Sequence, residues 1–208
     1  MIRILCLDVS EIDPSTYEKL YNRATEARKH RADRCRQPED ALCCIGAGAL
    51  LGFAVKQQLG LDVFTLEENR WGKPFIPDAP DFHFNLSHSG SWVVLAFGDS
   101  PVGIDVEKLD YTPGRQQVIR RFFTPEEQAY VLEDPGAEGE RFFRIWTAKE
   151  SWLKYTGEGL TRPLNSFSVL EMDRVRFFTC APEAGYLLTL CAGENPGKME
   201  FVTSSALL

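Results

Sequence analysis

The sequence predicts an α+β fold, and three features lead there. Long helical runs and antiparallel-looking strands occur together both before and after residue 102. The stretch "FHFNLSHSGSWVVLAFG" (82–98) holds two strand-like runs joined by the polar "SHSG". The last 45 residues supply further short apolar runs of strand length, "LNSFSVLEM", "VRFFTCA" and "YLLTLCA".

Taken in order, "IRILCLDV" (2–9) alternates as a strand. Residues 13–35, "DPSTYEKLYNRATEARKHRADRC", read as helical, with Asp13 as cap and Pro14 in the first turn. A second helix covers 38–60, headed by Pro38 and ended by Gly60. "NRWGKPFIPDAPD" (69–81) is turn-rich, so it is loop or short edge strand. In the pair that follows, Phe82, Phe84 and Leu86 alternate with His83, Asn85 and Ser87, whereas "WVVLAF" is apolar throughout and is expected to be buried on both faces. Gly and Pro bracket one short strand in "GDSPVGIDVEKLDYTPG" (98–114), which marks the junction between an N-terminal half, 1–102, and a C-terminal half, 103–208. Thr124, Pro125 and Glu127 then form a capping-box start. After the "PGAEGE" loop, "FFRIWTAKESWLKYTGEGL" (142–160) is a helix that stops at Gly157.

Composition narrows the function. A net charge of -7 and a pI near 5.1 argue against general nucleic-acid binding. The longest uncharged stretch, 41–55, is shorter than a membrane span needs, so it is expected to be a buried helix and no membrane partner is expected. "MIRILCLD" has no secretory pattern, and the six cysteines form no C-x-x-C pair or zinc spacing. A reducing cytoplasm is the expected compartment.

Four constellations could carry chemistry. On a strand, Asp105 and Glu107 of "GIDVEK" share one face while Ile104 and Val106 pack on the other. Two carboxylates ~4 Å apart repel by roughly 1 to 4 kcal/mol, a cost that a divalent cation reverses. Oxygen-only ligands suit Mg²⁺; solvated acids on an edge strand are the competing reading. On the 142–160 helix, Glu150 lies ~20° from Phe143 and ~40° from Trp146 and Lys154, so a carboxylate points along the greasiest face. Glu150 and Lys154 could be an ordinary i, i+4 pair, or Glu150 could join the two other acids and leave Lys154 for an anion. "RKHRADRCR" (28–36) is a basic cluster in an acidic chain; Arg28 and Arg31 are neighbours at i, i+3 and could grip a phosphate, although a solvated face is the common meaning of such a run. Finally, "WGKPF" sets Lys73 on a rigid turn, and "NLSHSG" places Ser87 and His88 at a strand end without forming a hydrolase elbow. The glycines of "GAGALLG" lack a preceding strand and instead suit close helix packing.

The ordered set "NRWGKPF", "FNLSHSG", "VGIDVEK", "RFFTPEE" and "FFRIWTAKESWLKYTGEGLTRPLNSFSV" resembles the Sfp-type 4'-phosphopantetheinyl transferases. "EARKHRADRC" and "PEDA" resemble the basic N-terminal segment of that family, and the likeness runs from about residue 23 to 169. The resemblance implies two similar α/β halves related by pseudo-twofold symmetry, with the active site in the cleft between them. It implies transfer of 4'-phosphopantetheine from coenzyme A to a serine of an apo acyl or peptidyl carrier protein, with release of adenosine 3',5'-bisphosphate. By the same resemblance Asp105, Glu107 and Glu150 would bind Mg²⁺. Lys154 and His88 would contact phosphate oxygens, Lys73 and Ser87 the coenzyme, and Arg28 and Arg31 its 3'-phosphate; Asp105 would face the coenzyme as well. Glu150, Lys154 and His88 are the expected catalytic residues, and the expected form is a monomer. The family often has Arg where this chain has Cys43. Rival readings are a Mg²⁺-dependent phosphatase or nucleotide hydrolase, and an inactive carrier-binding module.

Overall fold

The computed structural model describes residues 1–110 and 114–208, so 111–113 of the predicted junction lie outside the described residues. The fold is mixed α/β. Strand β1 (Ile2–Asp8) leads to helices α1 (Pro14–Arg23), α2 (Glu26–Asp33) and α3 (Pro38–Leu59). The short strands β2 (Glu67–Glu68) and β3 (Pro74–Phe75) precede β4 (His83–Ser89), β5 (Trp92–Gly98) and β6 (Val102–Lys108). Helices α4 (Arg115–Phe122), α5 (Pro125–Leu132) and α6 (Glu138–Thr156) come next, then β7 (Arg176–Cys180), β8 (Tyr186–Ala192) and β9 (Pro196–Phe201).

A four-stranded sheet has the order β4-β5-β1-β9, antiparallel except for the parallel β1–β9 pair; a three-stranded antiparallel sheet has the order β6-β8-β7, and β2 and β3 form a two-stranded antiparallel one. Alternation along β1 explains the layering. Leu5 and Leu7 join the core under α3, while Ile2, Ile4 and Cys6 meet Val102, Ile104 and Val106 of β6 and Leu188 of β8. A third core lies among α4, α5 and α6, built on Phe123, Phe142, Ile145 and Leu153. β5 is buried along its whole length, as its unbroken apolar run predicts.

Several local expectations are met. Asp13 caps α1 through Ser15 and Thr16, both halves of the Thr124/Glu127 capping box form, and Gly157 ends α6 with φ of 70°. The α3 glycines are packing positions: a Cβ on Gly46 would meet Val9 at 2.9 Å, and one on Gly48 would strike Arg28 Cδ at 2.3 Å.

Three expectations need correction, and a fourth is met with a point of length. Residues 13–35 form two helices, because Ala24 is extended and Thr25 starts a new cap by accepting the Arg28 N–H. The buried helix expected at 41–55 is met: α3 runs 22 residues, long and apolar enough for a membrane span by length and composition, and its Ile45, Leu50, Leu51 and Val55 are buried against the sheet. "LNSFSVLEM" is not a strand but two 3-10 turns, Leu164–Ser166 and Val169–Glu171, whose buried Leu164, Phe167 and Val169 gave it a strand-like pattern. Helix α6 begins at Glu138, inside the segment read as loop.

Candidate active site

Edge strands β4 and β6 belong to different sheets, and side chains join them. Asn85 Oδ1 accepts the Ile104 N–H (2.8 Å), Ser87 Oγ the Val106 N–H (3.3 Å) and Ser89 Oγ the Lys108 N–H (3.0 Å). Each step is two residues on both strands, so β4's alternate polar side chains replace the missing strand along β6's open edge. Asn85 and Ser87 are buried because they perform this pairing.

The ladder delivers the acids. Asp105 is 4% exposed, and its Oδ1 accepts from Ser87 Oγ at 2.9 Å and from Lys154 Nζ at 2.7 Å. Lys154 also donates to Ser87 Oγ at 3.0 Å. Glu107 is held by neutral donors, Ser89 Oγ to Oε2 at 3.0 Å and Trp146 Nε1 to Oε1 at 3.2 Å. Burial raises the Glu107 carboxyl above its ordinary range, and the Asp105 charge adds to the rise. Glu150 is raised for the same two reasons, with Lys154 opposing, and it makes no hydrogen bond among the described residues.

Helix α6 reaches this cluster because two contacts fix it. The backbone of Gly103, on the same side of β6 as Asp105, lies so close to α6 that a Cβ would stand 2.0 Å from the Ser151 carbonyl oxygen. On its other flank, buried Lys149 donates to Glu127 (2.8 Å) and to the Leu164 and Phe167 carbonyls (2.7 and 2.6 Å). Glu127 in turn accepts the Thr124 and Val169 N–H groups, so every charge of that buried pair is partnered.

The remaining predicted residues lie around this centre. His88 reaches solvent at the end of β4; desolvation and then the Lys154 charge push it below the usual histidine range, so it is neutral at pH 7. Lys73 borders a cavity of about 260 Å³ with Trp71, Asn85, Glu150 and Lys154. Its ammonium, however, donates to the Val102, Lys154 and Tyr155 carbonyls (3.1, 2.6 and 3.3 Å), which uses all three N–H bonds. Burial lowers its pKa to about 8. Arg28 lies along α3 with Nη1 on the Cys44 carbonyl (2.8 Å), in the space left by Gly48. Arg31 is exposed on α2, where its charge acts on His88. Cys43 is buried, with its thiol on the Gly90 carbonyl (3.5 Å). Thus Ser87, Asp105 and Lys154 are in direct contact, and Glu107, Glu150 and His88 share their field. Asn85, Ser89 and Trp146 are positioning residues that single-motif reading misses; the polar alternation 85, 87, 89 signals the first two, and nothing in the pattern of α6 marks Trp146 as a donor to Glu107.

No three His, Cys, Asp or Glu side chains form a ligating group among the described residues. The donors nevertheless fit a hard cation. Asp105 Oδ2 is buried without a hydrogen-bond partner among the described residues, and the acids nearby offer only oxygen. Mg²⁺ needs one or two such carboxylates when phosphates and waters complete its shell.

The profile of the 4'-phosphopantetheinyl transferase superfamily matches residues 101–194, the stretch that carries Asp105, Glu107, Glu150 and Lys154. The 4'-phosphopantetheinyl transferase ffp of Bacillus subtilis is 31% identical over 211 residues, covering 92% of each chain. The chain belongs to the 4'-phosphopantetheinyl transferase superfamily. A further 4'-phosphopantetheinyl transferase of Bacillus subtilis is 40% identical over 151 residues, 69% of this chain and 66% of its own. The 4'-phosphopantetheinyl transferase Sfp of Bacillus subtilis strain 168 is 40% identical over 147 residues, 67% of this chain and 64% of its own. The superfamily match begins at the turn into β6 and ends just beyond β8, so it contains α6 and the strand against which α6 is packed.

Proposed function

We propose that this protein transfers 4'-phosphopantetheine from coenzyme A to a serine hydroxyl of an apo acyl or peptidyl carrier protein, with Mg²⁺, releasing adenosine 3',5'-bisphosphate. The observation that carries the reading is that α6 Lys154 pairs with β6 Asp105 while α6 Glu150 lies within the field of Asp105 and Glu107, inside the stretch matched by the superfamily. Asp105, Glu107 and Glu150 are the residues that would hold Mg²⁺. When bound, the ion would neutralise the diphosphate.

The chain's own groups account for the rest. The serine oxygen forms a bond to the phosphorus next to pantetheine, and the bond from that phosphorus to the oxygen leading to the adenosine bisphosphate breaks. The serine proton goes to Glu150, a carboxylate made more basic by burial and by Asp105. Lys154 supplies positive charge to the phosphate oxygens and His88 a neutral N–H, so charge stabilisation dominates. Ser87 keeps Asp105 and Lys154 in register. Lys73 and Arg28 shape the coenzyme side, and with Arg31 they complete the set assigned to the coenzyme, its 3'-phosphate included. The three carbonyls on Lys73 mean that its ammonium would have to exchange a partner to touch phosphate directly, whereas Arg28, with one N–H on the Cys44 carbonyl, keeps further donors for an anion.

The finer architecture belongs to the same proposal: halves at 1–102 and 103–208, a pseudo-twofold relation and a cleft along β4 and β6. The side-chain ladder between two sheet edges supports it, and β9 crosses the division to pair with β1. A cytoplasmic monomer is proposed with it, consistent with six free cysteines. Arg115, Arg120 and Arg121 of α4, the last two exposed, suit an acidic carrier surface.

The test is incubation with coenzyme A and Mg²⁺ against a panel of apo carriers, read by intact mass. A gain of ~340 Da on a carrier, the phosphopantetheine group, with bisphosphate released only when carrier is present, is the expected result. Bisphosphate released without carrier would make the protein a hydrolase; no gain on any carrier would make it a binding module. Glu150→Gln should cut turnover more than about tenfold at saturating Mg²⁺, and a smaller loss removes Glu150 as base.

A further inference from the structure

Of the three acids on β6 and α6, Asp105 is the one that meets an ammonium, while Glu107 and Glu150 feel the same charge at longer range. Lys154 Nζ sits 2.7 Å from Asp105 Oδ1 and 3.0 Å from Ser87 Oγ. Ser87 has nothing left to give: its one hydrogen goes to Asp105 Oδ1, and its two lone pairs take Lys154 and the Val106 N–H. Asp105 Oδ2 therefore stays buried and unpartnered among the described residues. One of the two carboxylate oxygens is thus ion-paired, by a side chain that is itself 28% exposed, and the other, among the described residues, is not. A lysine ammonium is a compact charge on a flexible four-carbon stem, so it can leave Asp105 without moving α6.

We propose that Lys154 is the resident counter-ion of the carboxylate cluster, holding Asp105 until a divalent cation arrives with the coenzyme's diphosphate, which receives the displaced ammonium. The inference rests on the transferase reading above. A cation arriving alone must share Asp105 with a like charge or send the ammonium to water. A cation arriving with diphosphate gives that ammonium a new anion. Metal and coenzyme therefore help each other bind, by the same factor in both directions. With Lys154 removed, the cation alone meets an uncontested Asp105.

The measurement is Mn²⁺ binding, followed by the electron paramagnetic resonance signal of free Mn²⁺, with and without coenzyme A and corrected for Mn²⁺ held by free coenzyme. Wild type should bind Mn²⁺ about tenfold or more tightly with coenzyme than without, within the usual span of coupling. Lys154→Met should bind Mn²⁺ alone about fivefold or more tightly than wild type, and its gain from coenzyme should shrink. If Lys154→Met does not fold, as judged by circular dichroism, Lys154→Gln keeps a donor at Asp105, removes the charge, and carries the same expectation. Folded variants that bind Mn²⁺ alone no better than wild type overturn the proposal. The two readings fail separately. Carrier modification by wild type beside unimproved Mn²⁺ binding in the variants overturns the counter-ion role alone. Tightened Mn²⁺ binding in a protein that modifies no carrier upholds the counter-ion role and overturns the transferase reading.

Discussion

Glu150 concentrates the tension of the site in one residue. Burial and the Asp105 charge both disfavour its ionised form, so its carboxyl holds a proton to higher pH than a free glutamate. The sign for stability follows. The ionised form costs stability at pH values above the folded pKa, and that cost fades as pH falls through it. Metal-free Glu150→Gln should therefore melt above wild type at pH 7.5, by about 2–4 °C for each ~1 kcal/mol that loss of the buried charge relieves in a chain of this length. The gap should close toward pH 5 in differential scanning calorimetry; a gap that widens on acidification would contradict this charge balance. The awkwardness of Glu150 was legible in the sequence, since helical geometry alone sets it among Phe143, Trp146 and Lys154. The fate of Lys73 was not. A rigid turn explains how its ammonium is aimed, but its targets are backbone carbonyls from β6 and α6, and such acceptors leave no mark in the side-chain pattern.

At the level of elements, the site depends on how closely α6 lies on β6. Gly103 permits the contact: an added Cβ would meet the Ser151 oxygen at 2.0 Å and the Tyr155 nitrogen at 2.3 Å, and backbone atoms cannot step aside as a flexible side chain can. Gly103→Ala should lift the helix, cost about 3 kcal/mol or more, and lower the melting temperature by roughly 6 °C or more. Transferase activity should fall with it, because Glu150 and Lys154 move away from Asp105. A melting shift under 2 °C with full activity would show that the helix spacing is not what Gly103 sets. The two-residue alternation of β6 was readable in advance, because Ile104 and Val106 had to be buried. The ladder from Asn85, Ser87 and Ser89 was only half readable: polar alternation on β4 was plain, but the partner strand lies 19 residues on and in another sheet. "LNSFSVLEM" misled because a buried 3-10 turn and a buried strand can share one apolar pattern over so short a run.

Across the whole molecule, two sheets share one core, and their open edges meet where the acids gather. This explains why residues 87, 105 and 154, remote in sequence, touch. It also explains why β9 went unpredicted: "PGKMEF" begins with Pro and Gly, is largely exposed, and gains strand character by lying parallel to β1. The order of motifs along the chain indicated which residues would be brought together, while the topology that assembles them depends on contacts between segments up to about two hundred residues apart. The central claim is that Asp105, Glu107 and Glu150 converge on one hard cation beneath a diphosphate. Anomalous diffraction from crystals grown with Mn²⁺ and coenzyme A tests it most directly. The account predicts one strong peak within about 2.0–2.3 Å of carboxylate oxygens from all three residues and in contact with the diphosphate. An ordered coenzyme with the peak bound elsewhere, or with no peak between β6 and α6, would contradict it.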